Sequence, residues 1–572
     1  MTLSPVPDRA LAELGRTEGG PDTLALLVRD QDTRRLLLLR AVLDAAEGAD
    51  VRVCSAGARA RVREDWALLA EADRVTPAGS GEAADHGSAF PGHLAADHGS
   101  AYPEHLAADP ASAAAGNTAT TPPSASARDT AATAPVGGPT AGPAGGPYAD
   151  PAAAAPVGGP TADPASAPAG YILPHATLSP ARARLLHPLV GPWARRCLHG
   201  LGQAGPRTAD EERELGHDLA HLSALAAVAA ARAGISYAVR LSARDGVLTL
   251  PSLGTLHTAA PGDVPVDVVH RRGRLTLRRT GAADVVVRLE SGVGAWSPSP
   301  AWTPAYALPG LLAGAGPMPL DDLDPYRTAR GGPRHHALSG PTTLDDAGRK
   351  RWLQSWSGTA AALGLGGEQR VGEAVALLRC LVPLAEPPGS ATGGRAGGSC
   401  SGTRREAFGA VLSSTPPTPA TFAATLVHEL QHTKLAALSD MVTLHHAGPQ
   451  ERYFAPWRPD PRPYDGLLQG AYSHLALADF FQRCALTATR PAHRESAWTL
   501  HARYREQVGA VLPTLVGSGD LTVRGRRFVD QMVAVYERLD EHPPPRGQAV
   551  RARAYVEAAR ALWAGRRIRP TG

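Results

Sequence analysis

His428, Glu429 and His432 stand in the run PATFAATLVHELQHTKLAALSDMV, which begins at Pro419. Thr418 at the N-cap and Pro419 at the first helical position mark a helix start. The helix is expected to run on toward Gly448-Pro449. Two histidines four apart stack on one helical face and aim at one point in space. Glu429 follows His428 by one position, about 100° further round a 3.6-residue turn, so it reaches a metal-bound water without being a ligand. This is the arrangement metal hydrolases use. His217 and His221 repeat the spacing with Asp218 in place of the glutamate, and they read as one face of an amphipathic helix. A metal needs at least a third protein ligand. A second helix, from about Gly466 to Arg483 with Asp465 as its cap, carries the apolar stripe Leu467, Ala471, Ala478 and Phe481. His474 falls in that stripe. Alone it reads as a hydrogen-bonded core residue; after an incomplete two-histidine site it is the candidate third ligand. His445 and His446, adjacent at a helix end, read as solvated surface. Asp479 is placed to orient a ligand from behind.

Between the two helices lies Arg452-Tyr453-Phe454-Ala455-Pro456-Trp457-Arg458-Pro459-Asp460-Pro461-Arg462-Pro463. Proline stiffens it, and arginines and aromatics line it. Two readings stand: a surface loop whose arginines pair with acids, or a rigid clamp that presents a guanidinium to a carboxylate beside the metal.

The elements that must position these groups belong to a chain of 572 residues, long enough for several domains. The 61 glycines and 52 prolines show that part of it does not pack. Residues 1–76 read as helical. Residues 77–170 are low in bulky aliphatics and repeat themselves, AADHGSAFPGHL recurring as AADHGSAYPEHL, and are expected to form a disordered insert. Residues 171–319 combine a long alanine-rich helix, Asp210–Ala233, with short alternating runs over Ile235–Ser291 that read as an antiparallel sheet. Residues 320–572 read as a helical domain around the metal site. The fold class expected is α+β, mostly α, with a zincin-like metal-binding helix pair. A net charge of +4 leaves no footprint for nucleic acid or an anionic membrane. Five scattered cysteines without a CxxC pair, no signal-peptide pattern and no long apolar run point to a reducing cytoplasm.

The stretches AFGAVLSSTPPTPATFAATLVHELQHTKLAAL and RYFAPWRPDPRPYDGLLQGAYSHLALADFF closely resemble the HEXXH-motif domain found in actinobacterial clusters for ribosomally made peptides. The close likeness covers Thr403–Phe481. A looser one reaches back to Asp324-Pro325-Tyr326-Arg327 and forward to Leu521–Gly525. That family is understood as iron(II)/α-ketoglutarate (2-oxoglutarate)-dependent peptide β-hydroxylases, often accompanied by radical-SAM cyclophane-forming maturases. The resemblance implies Fe(II) on His428, His432 and His474, α-ketoglutarate as cosubstrate, and a precursor peptide as substrate. It also implies a cation for the distal carboxylate of α-ketoglutarate: Arg458 or Arg462 first, Lys434 next. Read from the residues alone, the same motif gives a zinc metallopeptidase with Glu429 as general base, and a peptide-binding accessory subunit whose metal is structural is the non-catalytic reading, disfavoured because a structural zinc site is normally closed by four ligands.

Overall fold

The computed structural model describes residues 6–75, 178–203, 205–290, 292–328, 339–386, 400–458 and 460–567. The insert expected at 77–170 lies outside them. The chain opens with α1 (Asp8–Gly15), α2 (Pro21–Gly48) and α3 (Ala56–Arg74), followed by α4 (Pro180–Leu185), α5 (Val190–Gly202) and α6 (Ala209–Arg232). Ten strands come next: β1 (Tyr237–Ala243), β2 (Val247–Leu250), β3 (Gly254–His257), β4 (Val264–Arg271), β5 (Arg274–Arg278), β6 (Val285–Leu289), β7 (Ala295–Trp296), β8 (Trp302–Pro304), β9 (Tyr306–Leu308) and β10 (Met318–Leu320). Helices α7 (Asp346–Ser357), α8 (Thr359–Leu365) and α9 (Glu368–Leu377) lead to β11 (Cys380–Pro383), β12 (Ser401–Gly402) and β13 (Ala410–Ser413). The chain closes with α10 (Pro419–Met441), α11 (Tyr464–Thr487), α12 (Pro491–Val516), α13 (Val523–Arg538) and α14 (Arg546–Arg567). The fold is mixed α+β and mostly helical, with small antiparallel sheets.

Three apolar cores organise it. The largest joins α1 and the first half of α2 to α7–α13, with Leu24, Leu27 and Val28 buried beside Leu426, Leu430 and Leu475. A second takes the far half of α2, through Leu39, Val42 and Ala46, together with α3–α6. A third packs Ala224, Ala227 and Val228 of α6 against the sheets. The N-terminal residues are therefore shared between two cores. At the crossing, Arg35 of α2 donates to the carbonyls of Leu186 (2.7 Å) and Phe408 (3.2 Å), which satisfies a buried cation with backbone oxygen.

The β region over 237–296 is an antiparallel sheet of order β1-β4-β5-β6-β7, beside a three-stranded sheet β2-β3-β8. Strand β5 buries Leu275 and Leu277 and exposes its ends, the period-2 pattern of a half-buried strand. The expectation of an all-helical region beyond 320 needs correction. A five-stranded sheet, β12-β13-β11-β10-β9, runs under the C-terminal helices, with β11 parallel to both β10 and β13. Strands β11 and β13 are buried at every position, and four-residue apolar runs of this kind carry no periodicity that separates strand from helix. No helix among the described residues is long and apolar enough to cross a membrane.

Candidate metal centre

Helix α10 starts where the sequence places it: Thr418 caps it by accepting from the Thr421 N–H at 3.2 Å. It stops at Met441, short of Gly448-Pro449, because Val442 turns to extended backbone. Helix α11 is capped by Pro463 rather than Asp465, which sits in its first turn. Both helices are buried along most of their length, so the polar residues they carry need partners.

His428 and His432 turn their Nε2 atoms to within 3.0 Å of each other. Two imidazole nitrogens on one metal, each about 2.0–2.1 Å from it, stand roughly 3.0–3.4 Å apart. His432 Nδ1 meets Gln469 Oε1 of α11 at 3.1 Å. An amide oxygen only accepts, so Nδ1 carries the hydrogen and Nε2 keeps its lone pair. Burial, reinforced by His432 and His474, holds His428 well below its ordinary value, and burial lowers His432 too. Both rings are thus neutral, the form that ligates. His428 Nδ1 is buried with no hydrogen-bond partner among the described residues. His474 approaches from α11, its ring 5.6 Å from that of His428, and is fully buried between Trp457 (4.6 Å) and Tyr504 (5.1 Å). It lines the same cavity. It stands back from the pair, since the three histidines do not bring ligand nitrogens within 4.8 Å of one another. The donor set fits a divalent metal at the His428–His432 pair, with His474 behind it.

The cavity measures about 400 Å³ and is walled by α10, α11, β12 and the Arg452–Pro463 loop. Glu429 opens onto it. Ser401 donates to Glu429 Oε1 at 2.7 Å, and Thr403 also bonds the carboxyl. Glu429 Oε2 is buried with no hydrogen-bond partner among the described residues, and burial pushes the carboxyl up to about 7.

The loop arginines divide. Arg458 clamps Asp460 through two bonds of 3.1 and 2.6 Å, as the surface-pair reading expects. Arg462 lies against Gly466, where a side chain would meet its guanidinium at 2.7 Å. It faces the cavity half-buried, and burial together with Arg458 lowers it. Among the described residues its guanidinium has neither a hydrogen bond nor an ion pair. Trp457 likewise lies flat on the helix over Gly470, where a side chain would come within 2.4 Å of the ring.

Several expectations are corrected. Lys434 is not in the cavity. It follows His432 by two positions, about 200° round the helix, and its Nζ is buried against Glu373 Oε1 (2.7 Å) and the Thr17 carbonyl (3.0 Å). Asp479 does not support His474; it faces Arg370 (3.4 Å), Arg483 (3.1 Å) and Arg538 (3.3 Å). His445 is largely buried rather than solvated, 3.5 Å from Asp465 and packed on Tyr464, while His446 is exposed. His217 pairs with Asp263 at 2.6 Å, and His221 is half-buried between Trp193 and Tyr326.

Cavity residues not singled out from sequence include Ser401, Thr403, Gln469 and Arg405, the last paired with Asp440. A second cluster, His187, Asp321 and Cys380, also brings ligand-type atoms within 4.8 Å of one another. There the Leu189 N–H donates to His187 Nδ1 at 3.3 Å. The ring hydrogen therefore sits on Nε2, 3.0 Å from Asp321 Oδ2, with the cationic Arg184 alongside. That protonation and that charge disfavour a metal. Neither a protein-family model nor any curated protein matches the chain.

Proposed function

We propose that this chain is a metal-dependent enzyme acting on a peptide, and specifically an iron(II)/α-ketoglutarate-dependent peptide β-hydroxylase. The observation that carries this reading is Arg462: a half-buried cation whose guanidinium makes no hydrogen bond or ion pair among the described residues, with Asp460, Glu451 and Asp465 acting on it only from further off, lining the cavity that holds the His428–His432 pair. A dicarboxylate cosubstrate needs such a group opposite its distal carboxylate. Histidines 428, 432 and 474 would hold the iron, which supplies the activation of dioxygen that hydroxylation requires. Gln469 fixes the tautomer of His432, and Trp457 shields His474 from water. Ser401 and Thr403 hold Glu429 where it bonds a substrate amide. Strand β12 ends its sheet at the cavity with one neighbour, β13, among the described residues. An open strand edge suits an extended peptide. Cytoplasmic residence and pairing with a radical-SAM maturase belong to the same reading.

A second reading, zinc metallopeptidase, is favoured by one observation. Glu429, near 7, lining the cavity and with Oε2 left without a hydrogen-bond partner among the described residues, suits a general base. Anaerobic titration with iron(II) and α-ketoglutarate separates the two. A weak visible charge-transfer band is expected, followed by succinate release when dioxygen is admitted. Arg462→Ala should raise the α-ketoglutarate requirement by about two to three orders of magnitude, as for a buried charge left unpaired. No band, together with zinc-dependent cleavage of a peptide library that is lost in Glu429→Gln, overturns the oxygenase in favour of the peptidase.

A further inference from the structure

The sheet β1-β4-β5-β6-β7 buries one face in the third core, through Val266, Val268, Leu275, Leu277, Val285 and Val287, and turns the other outward. On the outer face, side chains directly opposite one another form rows across the strands. Two of these rows differ in charge. In the first, Arg240 of β1 stands opposite Asp267 of β4, which stands opposite Arg278 of β5. The signs alternate and the groups pair: Arg240 with Asp267 at 2.7 Å, and Arg278 with Asp284 at 3.1 Å. In the second, Arg271 of β4 stands opposite Arg274 of β5, Arg274 opposite Arg288 of β6, and Arg288 opposite Trp296 of β7. The three arginines are exposed, and so is Trp296. They make no hydrogen bond or ion pair among the described residues; the contact within the row is Arg288 over the Trp296 ring at 5.9 Å. Glu290, just past β6, pairs with none of them. Arg272 joins them at the β4–β5 turn with φ +51°, at a position that asparagine, aspartate or glycine ordinarily takes. Like charges directly opposite on one sheet face are destabilising. The first row shows this face neutralising its charges within the protein; the arginine row does not.

From this contrast we infer a docking surface for an acidic peptide segment, with its carboxylates on Arg271, Arg274 and Arg288. Adjacent strands lie about 4.8 Å apart, so the three arginines span roughly 10 Å. An extended peptide projects alternate side chains from one face about 6.6–6.8 Å apart. Two or three alternating acids therefore cover the row within the reach of the arginine side chains, and a carboxylate accepts both arms of a guanidinium. A nucleic acid or an anionic bilayer carries its charge well beyond this length. It would meet Trp296 at one end of the row and the Asp267 and Asp284 carboxylates across the same face, which repel it. The surface shares no residue with the metal cavity and stands whichever metal or reaction that cavity holds.

Fluorescence anisotropy of a labelled peptide that alternates glutamate with serine, titrated with the full chain, tests this. The controls are the same peptide with glutamine for glutamate and a thymidine oligonucleotide of equal charge. Saturable binding of the acidic peptide is expected, weakening as salt is raised, with both controls weaker by about tenfold or more, the factor that roughly 1.4 kcal/mol represents. Arg274→Glu with Arg288→Glu should weaken the acidic peptide by about tenfold or more, because reversal puts repulsion in place of attraction at two positions of the row. Arg274→Gln with Arg288→Gln serves if the reversed variant fails to fold, judged by its thermal melt. Arg240→Gln with Asp267→Asn removes the paired row at constant net charge and should leave binding as it is. Absence of saturable binding, equal binding of the glutamine peptide, an oligonucleotide bound as tightly as the peptide, affinity unchanged in a folded arginine-row variant, or an equal loss when the paired row is removed overturns the proposal.

Discussion

Gln469 shows how one side chain can decide what a histidine does. Its amide oxygen 3.1 Å from His432 Nδ1 leaves Nε2 of that ring as the lone-pair face toward His428. Groups that orient a metal-binding histidine in this way are typically worth about 10–100-fold in metal affinity. Gln469→Leu should weaken metal binding by that factor, measured by competition with a chromophoric chelator. Gln469→Glu, which still accepts from Nδ1–H, should restore most of it. Unchanged affinity in Gln469→Leu would show that the contact does not set the tautomer. The ligands themselves give a coarser test. His428→Ala, His432→Ala and His474→Ala should each abolish stoichiometric metal, and His446→Ala and His217→Ala should leave it intact. Full occupancy in His474→Ala would move the third ligand elsewhere in the cavity. The two-histidine motif and His474 were legible because helical spacing states which residues share a face. Gln469, Ser401 and Thr403 were not, because each meets its partner across elements that local pattern does not bring together.

Helix α10 works with two faces. One carries His428, His432 and Glu429 to the cavity; the other is tied down by a buried polar network. Lys434 Nζ donates to Glu373 Oε1 at 2.7 Å and to the Thr17 carbonyl at 3.0 Å. Arg370 of α9 bonds Glu373 (3.1 Å) and the Thr17 carbonyl (2.7 Å), and lies 3.4 Å from Asp479 of α11. Thr17 holds φ +61°, a left-handed conformation unusual for a branched residue, and in it presents both its carbonyl and hydroxyl oxygens to the network. Burial lowers Lys434 to about 8, so only its acid partner keeps the buried cation in place. Glu373→Ala leaves two buried cations short of a carboxylate and should cost about 3–5 kcal/mol in urea denaturation. The paired change Glu373→Leu with Lys434→Met removes a charge of each sign and should cost less than Glu373→Ala alone; an equal or larger loss would show that packing, not charge, dominates there. The helical angle between His432 and Lys434 separates Lys434 from the metal face, a constraint that the expectation of a cosubstrate cation at Lys434 passed over. The three-element network around it was not legible in the sequence, since Thr17, Arg370 and Glu373 carry no motif.

At the scale of the whole molecule, three cores meet through shared helices, and each junction buries groups that titrate. His221 of α6 is enclosed by Trp193 and Tyr326 in the second core, with Arg184 as the charged neighbour. His501 of α12 donates from Nδ1 to the Ala478 carbonyl (2.9 Å), with Arg505, Asp479 and Asp540 around it. Burial lowers these two histidines to about 3 and about 4. An imidazole whose folded value lies below its unfolded value of about 6.5 contributes stability that is complete above pH 6.5 and lost as the pH falls toward the folded value. Each is therefore expected to remove about 2 kcal/mol between pH 7.5 and pH 5. Urea denaturation of the full chain at pH 7.5, 6.5, 5.5 and 5.0 should show stability falling with acid. His501→Gln, which keeps a bond to the Ala478 carbonyl without a titrating ring, should reduce that fall by about 2 kcal/mol. His221→Phe, which keeps the ring contacts in the second core, should flatten it independently, because the two sites share no neighbour and their effects should add. A stability that stays level from pH 7.5 to 5.0 in the unaltered chain, or a slope unchanged in both variants, would show that these histidines are not held neutral by the cores.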